Sequence, residues 1–108
     1  MEIREEQVDG AQVLVPIARV DSATAKAFEG RVLAAVNTGA AKIIIDFSEL
    51  DYISSAGLRV VLVGAKMTRA PRKFALCGMK PHIREIFDVS GFARILTILP
   101  DRASALSA

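Results

Sequence analysis

Residues 42–66 read "KIIIDFSELDYISSAGLRVVLVGAK", and a strand pattern changes into a helix pattern within them. The run "KIIIDF" is apolar and rich in β-branched side chains, which is typical of a strand covered on both faces of a sheet. From about Ser55 to Arg69, apolar residues recur at helical spacing. Two hydroxyls, Ser54 and Ser55, mark the junction. The segment therefore predicts a buried strand, a short connection and a helix, the unit of an α/β domain.

The flanking sequence extends this pattern in both directions. Residues 2–18 read as a hairpin that turns at Asp9-Gly10, and the next pattern is a helix capped by Asp21 or Ser22. A strand at 73–77, a helix over "PHIREIFDV" and a strand over "ARILTIL" follow. The predicted order is ββαβαβαβ: an α/β fold with a mixed β-sheet and flanking α-helices. We expect one domain over residues 1–100 and a tail over residues 101–108, which forms a helical turn or frays.

Length and composition limit the classes of protein to which the chain can belong. With 108 residues, 52% of them hydrophobic, the chain is long enough for one packed core. It shows no apolar run of signal-peptide or membrane-span length, which predicts a soluble, cytoplasmic protein without a membrane partner. The single cysteine, Cys77, cannot form an internal disulfide, and its setting in "KFALCGM" predicts a buried strand residue.

Charge is distributed unevenly along the chain. Residues 1–54 hold nine acids and five bases, a net charge of −4, whereas residues 55–108 hold three acids and nine bases, a net charge of +6. Such asymmetry favours a charged protein partner, although a scatter of solvated side chains explains it equally well. The bases are not interleaved with aromatic residues, so the sequence does not indicate nucleic-acid binding.

The sequence lacks the motifs that several classes of enzyme require. No G-x-x-x-x-G-K-[ST] loop accompanies "IIIDF", and no G-x-S-x-G elbow surrounds Ser55. The only histidine, His82, lacks an evident orienting acid, and one histidine with one cysteine cannot build an ordinary zinc site. Three carboxylates before the serines hint at magnesium, but roles at a strand end and in turn capping explain them better; they are Asp46, Glu49 and Asp51. We expect no enzyme, metal or cofactor.

The two serines invite different interpretations. Ser54 at the N-cap can accept a hydrogen bond from a free backbone N–H of the helix. Ser55 falls in the first helical turn, where its side chain projects toward solvent and a phosphate is electrostatically favoured. Many helices begin with serine, so the residues alone leave a simple cap and a phosphorylation switch both open.

A resemblance to a known family favours the switch. The segment "IIIDFSELDYISSAGLRVVL" resembles the signature of the STAS family, and of its bacterial anti-anti-sigma factors (anti-sigma factor antagonists) in particular. "ARVDSATA" and "KPHIREIFDVSGFARILTI" resemble further segments of that family. The resemblance implies phosphorylation at Ser55, with Ser54 as the second choice. It also implies that the unphosphorylated protein binds a GHKL-type anti-sigma serine kinase, and that a metal-dependent serine phosphatase restores binding.

Two positions depart from the family pattern. Ser54 replaces a frequent aspartate and Ala56 replaces a frequent serine, which puts the choice of kinase and the rate of phosphorylation in question. A STAS scaffold that binds a transporter or stress-signalling complex without a phosphoswitch is the alternative function. Asp21, in "RVDS", is expected to support the switch or the partner site, although a capping role is simpler.

The second helix carries a candidate docking surface. At 100° per residue, a second apolar stripe lies opposite the residues expected to face the sheet: Ala56, Val60, Val63 and Met67. Arg59 and Lys66 share a flank of the helix with Ser55. We expect the stripe and these two cations to bind the partner, and the alternative is that another helix or a dimer mate covers the stripe.

Overall fold

The computed structural model describes residues 1–108 and begins with the predicted hairpin. Strand β1 (Ile3–Val8) pairs antiparallel with β2 (Ala11–Pro16). Both turn residues, Asp9 (φ 51°) and Gly10 (φ 82°), have positive φ angles, as a two-residue hairpin turn of the favoured hand requires. Strand β2 ends at Pro16, which agrees with the proline marking a strand end.

A five-stranded mixed sheet forms the centre of the domain. The buried run "KIIID" forms β4 (Lys42–Asp46), which lies between β2 and β6 (Lys73–Cys77), and β7 (Thr97–Leu99) forms one edge. The strand order is β1-β2-β4-β6-β7, and all neighbours except the β1-β2 pair are parallel. The predicted mixed α/β fold is thus confirmed.

Helices cover both faces of this sheet. The larger core cluster combines residues of α1 (Ala25–Asn37), α2 (Ser55–Met67) and α3 (Pro81–Val89) with one set of strand residues. The smaller cluster lies on the other face, where Ala105 of a C-terminal helix, α4 (Arg102–Ser107), is fully buried. Coverage on both sides explains why the strand could be apolar at successive positions. No helix has the length and apolar character that a membrane span needs.

Two short strands were not predicted. Strand β3 (Ala18–Val20) and β5 (Leu50–Ile53) pair in parallel as a separate two-stranded sheet. Each is too short to give a clear alternating pattern, and only their pairing with each other reveals them. In sequence, β3 lies between β2 and α1 and β5 lies between β4 and α2, so the two strands position the starts of both helices.

The final strand and the first helix differ from the predicted bounds. The strand expected over "ARILTIL" is confined to β7, because residues 92–94 form a 3₁₀ turn that brings the chain from α3 back to the sheet. Helix α1 begins at Ala25 rather than at residue 22. The side chain of Asp21 holds an intervening turn by accepting hydrogen bonds from the backbone N–H groups of Ala23 and Thr24, each at 3.0 Å.

Of the two alternatives for residues 101–108, the helical one is observed. Asp101 caps α4 by accepting a 2.8 Å hydrogen bond from Ser104 N. Lys42 Nζ donates to three carbonyl oxygens at the C-terminal end, those of Ala105, Leu106 and Ala108. Arg102 donates from Nε and Nη2 to Asp46 Oδ2 at 3.2 and 3.0 Å. Charged side chains therefore hold α4 at both of its ends.

Candidate functional site

The two adjacent serines have different environments. Ser54 has an extended backbone (φ −85°, ψ 171°), and its Oγ accepts a 3.3 Å hydrogen bond from Gly57 N, which confirms its predicted N-cap role. Its own N–H donates to Val20 O at 2.8 Å and so ties the helix start to β3. The half-buried hydroxyl of Ser54 is therefore already engaged in the fold.

Ser55 is the uncommitted member of the pair. It is the first residue of α2, it is exposed, and its hydroxyl forms no hydrogen bond with another residue of the chain. The N-cap contact of Ser54 does not involve the side chain of Ser55. The geometry thus leaves the Ser55 hydroxyl free for chemistry with an outside reagent.

Gly57 explains why a glycine follows the serines. A Cβ atom at this position would lie 2.7 Å from Ile53 Cγ1 and 2.8 Å from Val20 Cγ1, distances too short for carbon atoms. The missing side chain lets the first turn of α2 pack directly on β3 and β5. The start of the helix is consequently fixed against the small sheet, and the orientation of Ser55 is fixed with it.

An exposed aromatic residue lies on the strand that leads into Ser54. The Tyr52 ring is 42% exposed, and the Arg19 guanidinium lies over it at 4.7 Å from the ring centroid. Arg19 Nε also donates to Asp21 Oδ2 at 3.1 Å, and this hydrogen bond is the main cause that lowers the pKa of the Asp21 carboxyl. The Arg19–Tyr52 pair is not evident from the sequence, because it depends on the pairing of β3 with β5.

The start of α3 borders the same strand. Lys80 forms an ion pair with Asp51 and thereby lowers the pKa of that carboxyl. His82 Nε2 lies 2.6 Å from the carbonyl oxygen of Asp51, so the ring is committed to a backbone contact. The small sheet therefore carries charged side chains of β3 and β5 and lies beside Lys80, the residue that precedes α3.

The expected apolar stripe on α2 is not continuous at the surface. Val60 is only 5% exposed and belongs to the larger core, because α1 packs beside α2. The expectation that Val60 is exposed on the stripe is wrong for this reason, and its contact with a partner stays a prediction. A shallow groove lies between α1 and α2. Its lining residues are Ala25, Lys26, Glu29, Ala56, Arg59 and Val60.

The exposed side of α2 does not coincide with the expected apolar stripe but is rotated from it about the helix axis. Its centre is the flank formed by Ser55, Arg59 and Lys66, all of which are exposed. Met67 lies at one edge and is 48% exposed, while Ala56 and Val63 are half-buried. The sequence identified these residues correctly as one helix surface but placed the centre of exposure on the wrong side of it.

The acidic residues before the serines are dispersed. Asp46 accepts from Ser48 N at 2.9 Å and pairs with Arg102, Glu49 pairs with Arg4, and Asp51 pairs with Lys80. Each carboxylate thus has its own basic partner, which agrees with structural roles at a strand end and in turns. Burial raises the pKa of the Cys77 thiol to about 12, so this side chain is a neutral core residue.

The fold and the site together define a small α/β domain with helices on both faces of a mixed sheet and an uncommitted serine at the start of the second helix. The model of the STAS domain matches residues 2–105. The chain therefore belongs to the STAS domain family.

Two known proteins are similar to this chain. BtrV of Bordetella bronchiseptica, a candidate anti-sigma factor antagonist, is 39% identical over 109 residues, which cover 100% of this chain and 94% of BtrV. An anti-sigma factor antagonist from Mycobacterium paratuberculosis has a similar crystal structure (TM-score 0.93, 23% identity, 98% of this chain and 91% of that one).

The Bacillus cell fate determinant SpoIIAA has the same fold. Its phosphorylated form matches with a TM-score of 0.71 at 21% identity, covering 95% of this chain and 96% of that one. The unphosphorylated form of the anti-sigma factor antagonist SpoIIAA matches with a TM-score of 0.78 at 21% identity, covering 95% and 92%.

Proposed function

We propose that this protein is an anti-sigma factor antagonist that phosphorylation of Ser55 switches off. In the unphosphorylated form it binds a GHKL-type anti-sigma serine kinase. This binding frees the sigma factor from the kinase. The kinase phosphorylates Ser55 and dissociates, and a metal-dependent serine phosphatase restores the binding form. The protein itself acts by binding and catalyses no reaction.

The different environments of Ser54 and Ser55 are the observation that supports this proposal. Ser54 is engaged with Gly57 N, whereas Ser55 is exposed and its hydroxyl is free. A phosphate at Ser55 adds a charge of about −1.5 to −2 at the surface without breaking the cap. The fold therefore survives modification while the partner meets a changed surface.

Family relatives give the second line of support. The most similar relative described above is a candidate anti-sigma factor antagonist, and SpoIIAA is known in both a phosphorylated and an unphosphorylated form. We place the partner site on exposed and half-buried residues around Ser55, which are Asp21, Ala56, Arg59, Val63, Lys66 and Met67. Val60 supports this surface from below.

The test is phosphorylation with a candidate GHKL-type kinase and ATP, followed by mass-spectrometric mapping of the phosphate. We expect one phosphate on wild-type protein and on Ser54→Ala, and none on Ser55→Ala. Ser55→Ala should keep its affinity for the kinase, and Ser55→Asp should lose only part of it, because one carboxylate carries less charge than a phosphate. Phosphate on Ser54 instead would refute the assignment.

The same experiment distinguishes the proposed phosphorylation switch from the alternative function. A STAS scaffold without a phosphoswitch would bind its partner equally well before and after treatment with kinase and ATP. One of the similar structures belongs to the stressosome, described as a signal integration and transduction hub (TM-score 0.70, 18% identity). Unchanged binding with no phosphate on either serine would favour that role.

A further inference from the structure

Helix α2 and the residues after it are rich in bases and contain no acid. Residues 55–73 hold five bases and neither aspartate nor glutamate; the bases are Arg59, Lys66, Arg69, Arg72 and Lys73. Arg72 has a structural role, because its guanidinium donates hydrogen bonds to the carbonyl oxygens of Ala40 and Val36 at 2.8 and 2.6 Å. Arg59, Lys66 and Arg69 are exposed and form no ion pair.

Most bases outside this segment are paired, and the exposed exceptions are Lys26 and Arg94. Elsewhere six bases pair with carboxylates of the same chain, and they are Arg4, Arg19, Arg31, Lys80, Arg84 and Arg102. Because α2 contains no acid and neither Arg59 nor Lys66 forms an ion pair, the outer surface of the helix is positive.

Geometry places these cations in one row with Ser55. At 100° per residue, Ser55, Arg59 and Lys66 fall within about 40° of one another around the helix axis. Arg59 and Lys66 are separated by about 10 Å along the axis, at a rise of about 1.5 Å per residue. Leu62 and Val63 are half-buried and flank the row on its two sides.

We infer that this row, with its flanking apolar residues, docks against an acidic protein surface of the anti-sigma kinase. The inference rests on the proposed function and adds the chemistry of the partner. Carboxylates of the kinase pair with Arg59 and Lys66, and Leu62 and Val63 contact an apolar centre between those carboxylates. Complementary charge of this kind fixes orientation and speeds association.

Phosphorylation of Ser55 acts on the same row. A phosphate there adds about as much negative charge as Arg59 and Lys66 supply in positive charge. The outer surface of α2 is then no longer complementary to an acidic partner, and like charges oppose each other across the interface. Arg59, four residues after Ser55, is in helical register to pair with the phosphate and so to be withdrawn from the partner.

The test compares two double charge reversals of equal net change. Arg59→Glu/Lys66→Glu alters the row, and Lys73→Glu/Arg94→Glu alters exposed, unpaired bases outside α2. Binding is measured by calorimetry at 50 and 300 mM NaCl, with the GHKL-type kinase that phosphorylates wild-type protein. We expect the first variant to bind at least about tenfold more weakly at low salt and with less salt dependence, and the second to bind within about twofold of wild type. Circular dichroism checks that both variants are folded.

Each outcome decides a different point. If wild-type protein binds the kinase and the Arg59→Glu/Lys66→Glu variant binds equally well, the acidic-partner inference is overturned while the antagonist function stands. If both double variants lose affinity equally, the effect is one of overall charge and the inference also fails. If no such kinase binds wild-type protein, the proposed function fails, and the inference about its partner fails with it. A duplex DNA probe that loses affinity with the first variant, when the kinase does not, would assign the row to nucleic acid instead.

Discussion

Ser54 Oγ accepts the backbone hydrogen bond of Gly57 over 3.3 Å, and this contact assigns the first of the two serines to the fold. An N-cap serine contributes about 0.5–2 kcal/mol, and the long distance places this one near the lower end. We therefore expect Ser54→Ala to lower the free energy of unfolding by about 0.5–1 kcal/mol. Ser55→Ala should change it by less than about 0.5 kcal/mol, as at other exposed sites.

Urea unfolding of both variants, followed by circular dichroism, measures this difference. Equal destabilisation by the two substitutions would mean that the cap is not specific to Ser54. A large loss with Ser55→Ala alone would reverse the assignment of the two hydroxyls.

Gly57 should not tolerate even one methyl group. In Gly57→Ala the new Cβ would lie 2.7–2.8 Å from side-chain carbons of Ile53 and Val20, so either the helix start or the small sheet must shift. Overpacking of this kind costs about 1–3 kcal/mol. The control is Gly30→Ala, in the interior of α1 with open space around its Cβ, which should stabilise the protein by about 0.5–1 kcal/mol. Thermal melts of the two variants should therefore move in opposite directions.

Removal of Arg102 should show how far the C-terminal helix depends on the ion pairs of this residue with Asp46 and Glu6. Arg102→Ala leaves Asp46, whose side chain is 8% exposed, without its cationic partner. We expect a loss of about 1–3 kcal/mol, less than for a fully buried pair because Arg102 itself is 30% exposed. Arg84→Ala removes only an exposed pair with Asp88 four residues away and should cost less than about 0.5 kcal/mol. Hydrogen exchange over residues 101–108 should accelerate only in Arg102→Ala.

The sequence predicted those elements whose cause is local. The β-branched run of β4, the turn at Asp9-Gly10, the proline that starts α3 and the cap at Ser54 are each determined by a few neighbouring residues. These elements, with the order of strands and helices around them, were sufficient to predict a mixed α/β domain. They also placed Ser55 in the first turn of a helix.

What sequence reasoning missed depends on contacts between distant residues. Strands β3 and β5 are three and four residues long and exist because they pair with each other. Helix α4 is held by Lys42 and Asp46, which precede it by about 60 residues. Helical periodicity identified two apolar sides of α2 but could not show that α1 packs over Val60. Which side of a helix is exposed is a property of its neighbours.

Stability should fall in acid partly through Asp21. Its hydrogen bond with Arg19 lowers the pKa of the carboxyl in the folded protein, so the charged form contributes stability above the unfolded pKa of about 3.9. That contribution is lost as pH falls through the lowered folded value. Asp21→Asn keeps an oxygen for the turn but removes the charge, so its melting temperature should lie below wild type at pH 6 and approach it below about pH 3. Glu2→Gln, at an exposed acid without an ion pair, is the control and should show no such convergence.

The last prediction concerns Val60, which the structure moves from the surface into the core. Its side chain is 5% exposed and lies under α1, whereas Met67 on the same helix is 48% exposed. Val60→Asp would place a carboxylate in the larger apolar cluster without a hydrogen-bond partner, and we expect it to cost about 3 kcal/mol or more and to leave little folded protein at 37 °C. Met67→Asp puts the same charge in solvent and should alter the free energy of unfolding by less than about 0.5 kcal/mol. Urea titrations of the two purified variants measure the contrast directly. A Val60→Asp variant that unfolds at the same urea concentration as wild type would show that α1 leaves this position accessible, and would return Val60 to the candidate partner surface.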